Sequence, residues 1–249
     1  MTKSQLLYEQ LTQECDWQTF LRANSCLPGP RANLELIDAV VRAGDRAFFE
    51  ACLAADVPSA VPNTPDEFLV ICGVVGLGAE LARGEQDVLP ILRRYAVDPR
   101  WRLREAVAMA LQRWGDVDFN ALLVEMKGWV VDDPLQSRAA AAALCEPRLL
   151  VEADRVMAVF DLLDKAMEVL RRTLPTNREG RDVLIKGLSY CYSVAVVALP
   201  EPGKDRLARW AYENDKTMRR VVRNNLHKNR LQRLDPDWVE RLNKSLETQ

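Results

Sequence analysis

The chain has 249 residues, 48% of them hydrophobic and 28% charged, with a formal net charge of −2. That length and balance suit a folded protein with a sizeable core, far from the apolar-poor and strongly charged composition of a disordered chain. The near-neutral total gives no global attraction to nucleic acid, but the charge is uneven: from Lys204 onward there are 12 Lys+Arg against 7 Asp+Glu, a net of +5, which leaves −7 for the rest. Such an asymmetry marks the C-terminal segment as a candidate anion-binding end.

In chain order, residues 3–25 predict two short helices, with Leu6, Leu7 and Leu11, then Trp17, Phe20 and Leu21, as buried positions and Asp16 as the cap of the second. Cys26-Leu-Pro-Gly-Pro-Arg-Ala-Asn33 is a turn, because two prolines around a glycine do not continue a helix. A helix follows from Leu34 to Ala43, and Asp45 opens another with Phe48, Phe49, Cys52 and Leu53 inward. Residues 56–65 read as a proline-rich connection, with Thr64 capping at Pro65. The helix over 66–82 contains Gly73, Gly76 and Gly78. Each glycine costs a helix about 1 kcal/mol against alanine, so three of them predict neighbouring helices at close range. Their spacing fits no phosphate-binding fingerprint, and they lie inside a helical pattern rather than between a strand and a helix.

A helix at 86–96 precedes Ala96-Val-Asp-Pro-Arg-Trp-Arg-Leu-Arg-Glu-Ala-Val-Ala-Met-Ala-Leu-Gln-Arg-Trp114. Here Asp98 is a cap, Pro99 takes the first helical position, and Leu103, Ala106, Val107, Ala110, Leu111 and Trp114 form one apolar face. After a helix over 117–130, Asp132-Asp-Pro-Leu-Gln-Ser-Arg138 repeats the pattern: Asp98 to Arg104 and Asp132 to Arg138 both span six residues, 34 residues apart. Two longer helices, 152–173 and 178–199, follow. The first carries Val156, Phe160, Leu163, Met167 and Leu170 on one face, and the second is apolar on nearly all sides. Pro200-Glu-Pro-Gly203 reads as the end of that pair, with a helix from Asp205 to Glu213 beyond it. Residues 214–231 form a third copy of the pattern, and a last helix capped by Asp235 runs to Leu246. No strand or hairpin signal competes.

Asp98-Pro-Arg-Trp-Arg-Leu-Arg-Glu-Ala106 and Asp132-Asp-Pro-Leu-Gln-Ser-Arg-Ala139 resemble HEAT repeats (ARM-type), a likeness that spacings in this range support. Met218-Arg-Arg-Val-Val-Arg-Asn-Asn-Leu-His-Lys-Asn-Arg-Leu231 is similar to the terminal motif of bacterial HEAT-like proteins, including relatives of the AlkD-type DNA alkylation repair glycosylases. The three passages cover about a fifth of the chain. The resemblance implies an all-α right-handed superhelix of helical hairpins, each stable only against its neighbours, as a single domain over 1–249 with less regular helices in 1–63 and clearer repeats in 64–249. It also implies that Asp98, Arg104, Asp132 and Arg138 are ladder residues tying adjacent hairpins in register.

The chemistry is sparse. The single histidine, His227, stands in a basic stretch with no nearby carboxylate, so neither a histidine triad nor a multi-histidine metal centre is expected. Six cysteines without a CxxC pair suit a reduced, cytoplasmic protein. The N-terminus lacks a signal-peptide core, and the longest apolar run, 187–199, is 13 residues, short of the roughly 18 of a membrane helix. No membrane, metal or cofactor is expected. Two sets of residues remain as candidates. Trp101 and Glu105, four apart on one helix face, pair an indole with a carboxylate, a combination that the AlkD-type resemblance connects with cationic alkylated bases. The tryptophan pair followed by aspartate associated with that family is absent. The second set is the basic stripe of Lys216, Arg219, Arg220, Arg223, Lys228 and Arg230, behind which Met218, Val221, Val222 and Leu226 face the core. Clustered cations of this kind contact phosphates without sequence specificity. The expectation is a non-enzymatic scaffold that binds a protein, with DNA binding or alkylpurine excision as the alternative.

Overall fold

A computed structural model describes residues 2–56 and 61–247. Among them there are fifteen α-helices, two short 3₁₀ turns and no strand, so the chain is all-α. None of these helices is long and apolar enough to cross a membrane. The chain divides into two compact units, Met1–Val117 and Asp118–Gln249.

The first unit holds α1 (Lys3–Gln13), α2 (Trp17–Asn24), α3 (Leu34–Ala43), α4 (Arg46–Leu53), α5 (Pro65–Ala82), α6 (Leu89–Tyr95) and α7 (Trp101–Val117). Its centre is α5, which packs against α2, α3, α4, α6 and α7. Fourteen of its eighteen residues are buried, which only a helix covered on nearly every side can achieve. The glycines make room for those neighbours. A Cβ at Gly76 would overlap the Phe49 ring of α4, and one at Gly78 would lie 2.6 Å from the Ala110 Cα of α7. The caps at Asp16, Asp45 and Thr64 form as expected, each side chain accepting from the backbone N–H three residues on. Of the proline-rich connection over 56–65, residues 57–60 lie outside the described residues.

The second unit holds α8 (Phe119–Trp129), α9 (Pro134–Leu144), α10 (Ala153–Arg172), α11 (Arg178–Ala198), α12 (Pro200–Ala211), α13 (Lys216–Leu226), α14 (Asn229–Leu234) and α15 (Pro236–Glu247). Here α11 is central, packed by α9, α10, α12, α13 and α14. The predicted stripe on α10 is buried throughout.

Several local expectations are corrected. Leu6 is exposed, while Trp17, Phe20 and Phe48 are only half-buried; Trp17 and Phe48 meet edge to face at 5.0 Å. The α7 helix starts at Trp101 rather than Pro99. The carbonyls of Asp98 and Pro99, which would accept from the first helical turn, instead accept from Arg104 Nη1 at 2.5 and 3.1 Å. Two of the Arg104 hydrogen bonds thus go to the turn that precedes its own helix. In the second copy the cap is Asp133, one residue past the start of the repeated span: its Oδ1 accepts from Leu135 N at 2.8 Å and Gln136 N at 2.9 Å. Pro200–Gly203 does not end a helix but forms the first turn of α12, where the amides have no intrahelical acceptor and proline loses nothing. The third copy is two helices, broken at His227 and Lys228.

One local geometry is common to all three copies. Asp98, Asp133 and Asp215 each accept from the backbone N–H two residues on, at 2.8, 2.8 and 2.7 Å.

Candidate functional site

Of the basic stripe, Lys216, Arg219, Arg220 and Arg223 lie on α13 in the second unit, while Lys228 is the N-cap residue of α14 and Arg230 is in its first turn. Asp215 caps α13 through Thr217 N and Met218 N. Met218, Val221, Val222, Asn225 and Leu226 recur at three- and four-residue spacing and are all buried, which fixes the inner face. A polar pin also fixes the rotation about the helix axis. Asn225 is wholly buried; its Nδ2 donates to the Leu188 and Val221 carbonyls at 3.0 and 2.9 Å, and its Oδ1 accepts from Ser193 N at 2.9 Å. Asn224 Nδ2 adds a bond to Ser189 Oγ at 3.1 Å. Sequence patterning assigned Asn224 and Asn225 no role; buried at this register, the Asn225 amide is satisfied by the α11 backbone and by the Val221 carbonyl of its own helix.

With that face locked, Lys216, Arg220 and Arg223 are exposed and Arg219, Lys228 and Arg230 half-buried. Among the described residues none of the six has a carboxylate within 4.0 Å. Arg223 sits in the last turn, where a cation complements the helix dipole, but Lys216 sits in the first, where it opposes it. Lys216 therefore gains nothing from the helix dipole. The Arg230 guanidinium stacks 4.4 Å from the ring centroid of Tyr190, which is 47% exposed on α11. His227 is exposed at the end of α13.

Trp101 and Glu105 lie in the first unit, at the start of α7, and both line a pocket of about 300 Å³. Its walls are mostly apolar: Leu34, Ile37, Ile71 and Met109, with Arg31 and Arg102 alongside. Trp101 is 53% exposed, and its ring lies 4.6 Å from the Arg102 guanidinium carbon. Arg102 is 9% exposed. Its Nη2 donates to the Gly29 carbonyl at 2.8 Å and to Asn63 Oδ1 at 3.2 Å, and its Nη1 is 3.7 Å from Glu67 Oε2. Arg102 Nε is buried and has no acceptor among the described residues. The expected shared face of Trp101 and Glu105 thus exists and borders a concavity. The candidate residues fall into two sets, one per unit.

A third cluster in the second unit carries no simple sequence signal. Asp164 Oδ1 accepts from the Tyr192 hydroxyl and Trp210 Nε1, both at 2.6 Å, and its Oδ2 from Arg206 Nη1 and Arg209 Nη2, both at 2.5 Å. Arg206 Nη2 also lies 2.7 Å from Asp161. Burial acts to raise the Asp164 pKa, but the bonds from Tyr192, Trp210, Arg206 and Arg209 outweigh it and hold the carboxyl below its usual value. Burial, reinforced by the Asp164 charge, pushes the Tyr192 phenol well above its own. Among the described residues no group of three His, Cys, Asp or Glu is placed to hold a metal ion. No family model and no curated protein matches the chain.

Proposed function

We propose that the chain is a non-enzymatic, cytoplasmic interaction protein of the HEAT-repeat class, whose helical hairpins stack as a right-handed superhelix and whose α13 face receives an acidic protein partner. Support for the repeat reading comes from the shared aspartate geometry at Asp98, Asp133 and Asp215 and from the contacts of α11 with the helices on either side of it in sequence. The observation that carries the binding reading is the α13 face and the turn after it: Lys216, Arg219, Arg220 and Arg223 on a helix whose rotation Asn225 fixes, with Lys228 and Arg230 at the start of α14, none of them with a carboxylate partner among the described residues. Unpaired cations on a rigid face serve long-range attraction and orientation of an anionic partner.

A second reading, DNA in place of protein, draws on the Arg230–Tyr190 stack at the edge of the stripe, since a cation beside an exposed ring suits phosphate and base together. Fluorescence anisotropy of poly-glutamate and of duplex DNA with the full chain, at low and high salt, separates the two. Binding of poly-glutamate that disappears in Lys216→Gln/Arg220→Gln/Arg223→Gln supports the protein reading. Binding of DNA alone, with a salt slope that falls by about 0.9 for each phosphate the variant leaves unneutralised, replaces it with the second. Binding of neither refutes the α13 face as a docking surface. Release of alkylated purine that is lost in Glu105→Gln would instead establish glycosylase activity at the Trp101 pocket.

A further inference from the structure

The second unit contains a cleft of about 590 Å³ lined by Lys127 of α8, by Asp161, Asp164 and Lys165 of α10, and by Arg206 and Arg209 of α12. We propose that this cleft binds a small anion through a phosphate or carboxylate group. Four cations face two carboxylates there, and the carboxylates are committed to the arginines. Asp164, 15% exposed, fixes Arg206 and Arg209 from beneath, and Asp161 takes the second amine nitrogen of Arg206.

The excess positive charge therefore resides on Lys127, Lys165 and the outer part of Arg209. Among the described residues neither lysine has a carboxylate within 4.0 Å. The Arg209 side chain remains 57% exposed although its Nη2 is bonded. Two further features favour an anion over ordinary solvated lysines. The arginines are ordered before any ligand arrives, so binding does not carry the entropic cost of immobilising them. The cleft is concave, with Ala158 and Leu162 among its walls, and apolar walls concentrate the field of the cations that line a cleft. Guanidinium and ammonium groups together match the oxygens of phosphate or carboxylate. This site involves none of the α13 residues and does not depend on the reading of that face.

Isothermal titration calorimetry of the full chain at low ionic strength, with inorganic pyrophosphate and separately with citrate, tests the site. The expected result is one bound anion per chain, weakened about tenfold or more in Lys127→Gln/Lys165→Gln, because one charge about 5 Å away in a water-like dielectric is worth about fourfold in affinity. Both lysines are exposed, so the double variant should fold, and its circular dichroism melt verifies this. The α13 triple variant should bind the anion as the unaltered chain does, which separates failure of this site from failure of the α13 face. Pyrophosphate alone, citrate alone or both binding with this lysine dependence supports the site and identifies the oxyanion it takes. Absence of binding by both anions, equal binding in the double lysine variant, or loss that follows the α13 variant overturns it.

Discussion

Replacing Gly78 by alanine tests the packing on which the first unit depends. Alanine in a helix interior gains about 1 kcal/mol over glycine from propensity alone, so the change stabilises unless space forbids it. At Gly78 the added methyl would stand 2.6 Å from the Ala110 Cα and 2.8 Å from its carbonyl carbon. Carbon pairs settle near 3.5–4.0 Å, so α5 and α7 must separate by about 1 Å, and a gap of that size forfeits a quarter to a half of the dispersion energy of the atoms involved. The obstructing atoms are backbone, so no side-chain rotation relieves the overlap. An overpacking cost of about 3 kcal/mol less the propensity gain leaves a net loss of about 2 kcal/mol. Gly128 of α8 is the control: nothing lies within 4 Å of its Cβ position, and Gly128→Ala should be neutral or stabilising by up to about 1 kcal/mol. Urea unfolding followed by tryptophan fluorescence measures both. A Gly78→Ala protein as stable as the unaltered chain would refute the close approach of α5 and α7.

Two further outcomes follow from buried groups. Asp164→Asn leaves Arg206 and Arg209 without their inner carboxylate and should cost about 3 kcal/mol at pH 7. Because the folded pKa of Asp164 is lowered, its contribution is complete above the ordinary carboxylate value of about 4 and is lost as pH falls through the lower folded value. Below about pH 4 the unaltered chain should thus lose stability more steeply than the variant, and equal acid profiles in thermal melts would refute the account. Of the six free cysteines, Cys15 and Cys26 are exposed and Cys52, Cys72, Cys145 and Cys191 buried, with burial pushing the Cys52 thiol to about 12. A disulfide reagent should label two thiols promptly in the folded protein and the other four only in denaturant; prompt labelling of a third would contradict the packing.

The features that could be read in advance are those decided within one helical turn or by one face. The glycines of α5 signalled close neighbours because nothing else justifies three of them in one helix, and the stripe on α10 and the inner face of α13 followed from spacing alone. Features decided by a competing donor were misplaced. Asp98-Pro99 has all the local marks of a helix start, yet Arg104, six residues away, takes the carbonyls that the first turn requires. Pro200–Gly203 shows the reverse: residues that stop a helix interior are harmless in a first turn, and periodicity does not say which turn a proline occupies.

The Asp164 cluster was not legible at all, and the reason is separation. Its partners lie 28 to 46 residues away, and no rule of local spacing links Asp164 to Tyr192, Arg206 or Trp210. Within a helix, however, Arg206, Arg209 and Trp210 repeat at three and four residues, the spacing of a buried apolar face, with two charges where leucines are expected. A half-buried arginine such as Arg206 needs an acid beside it, so the sequence contains the demand for Asp164 though not its location. The α13 face presents the opposite case: its cations are legible by spacing, and among the described residues no acid lies within 4.0 Å of them. The same physical rule that makes Arg206 and Arg209 structural therefore makes Lys216, Arg220 and Arg223 the residues whose charge is directed outward.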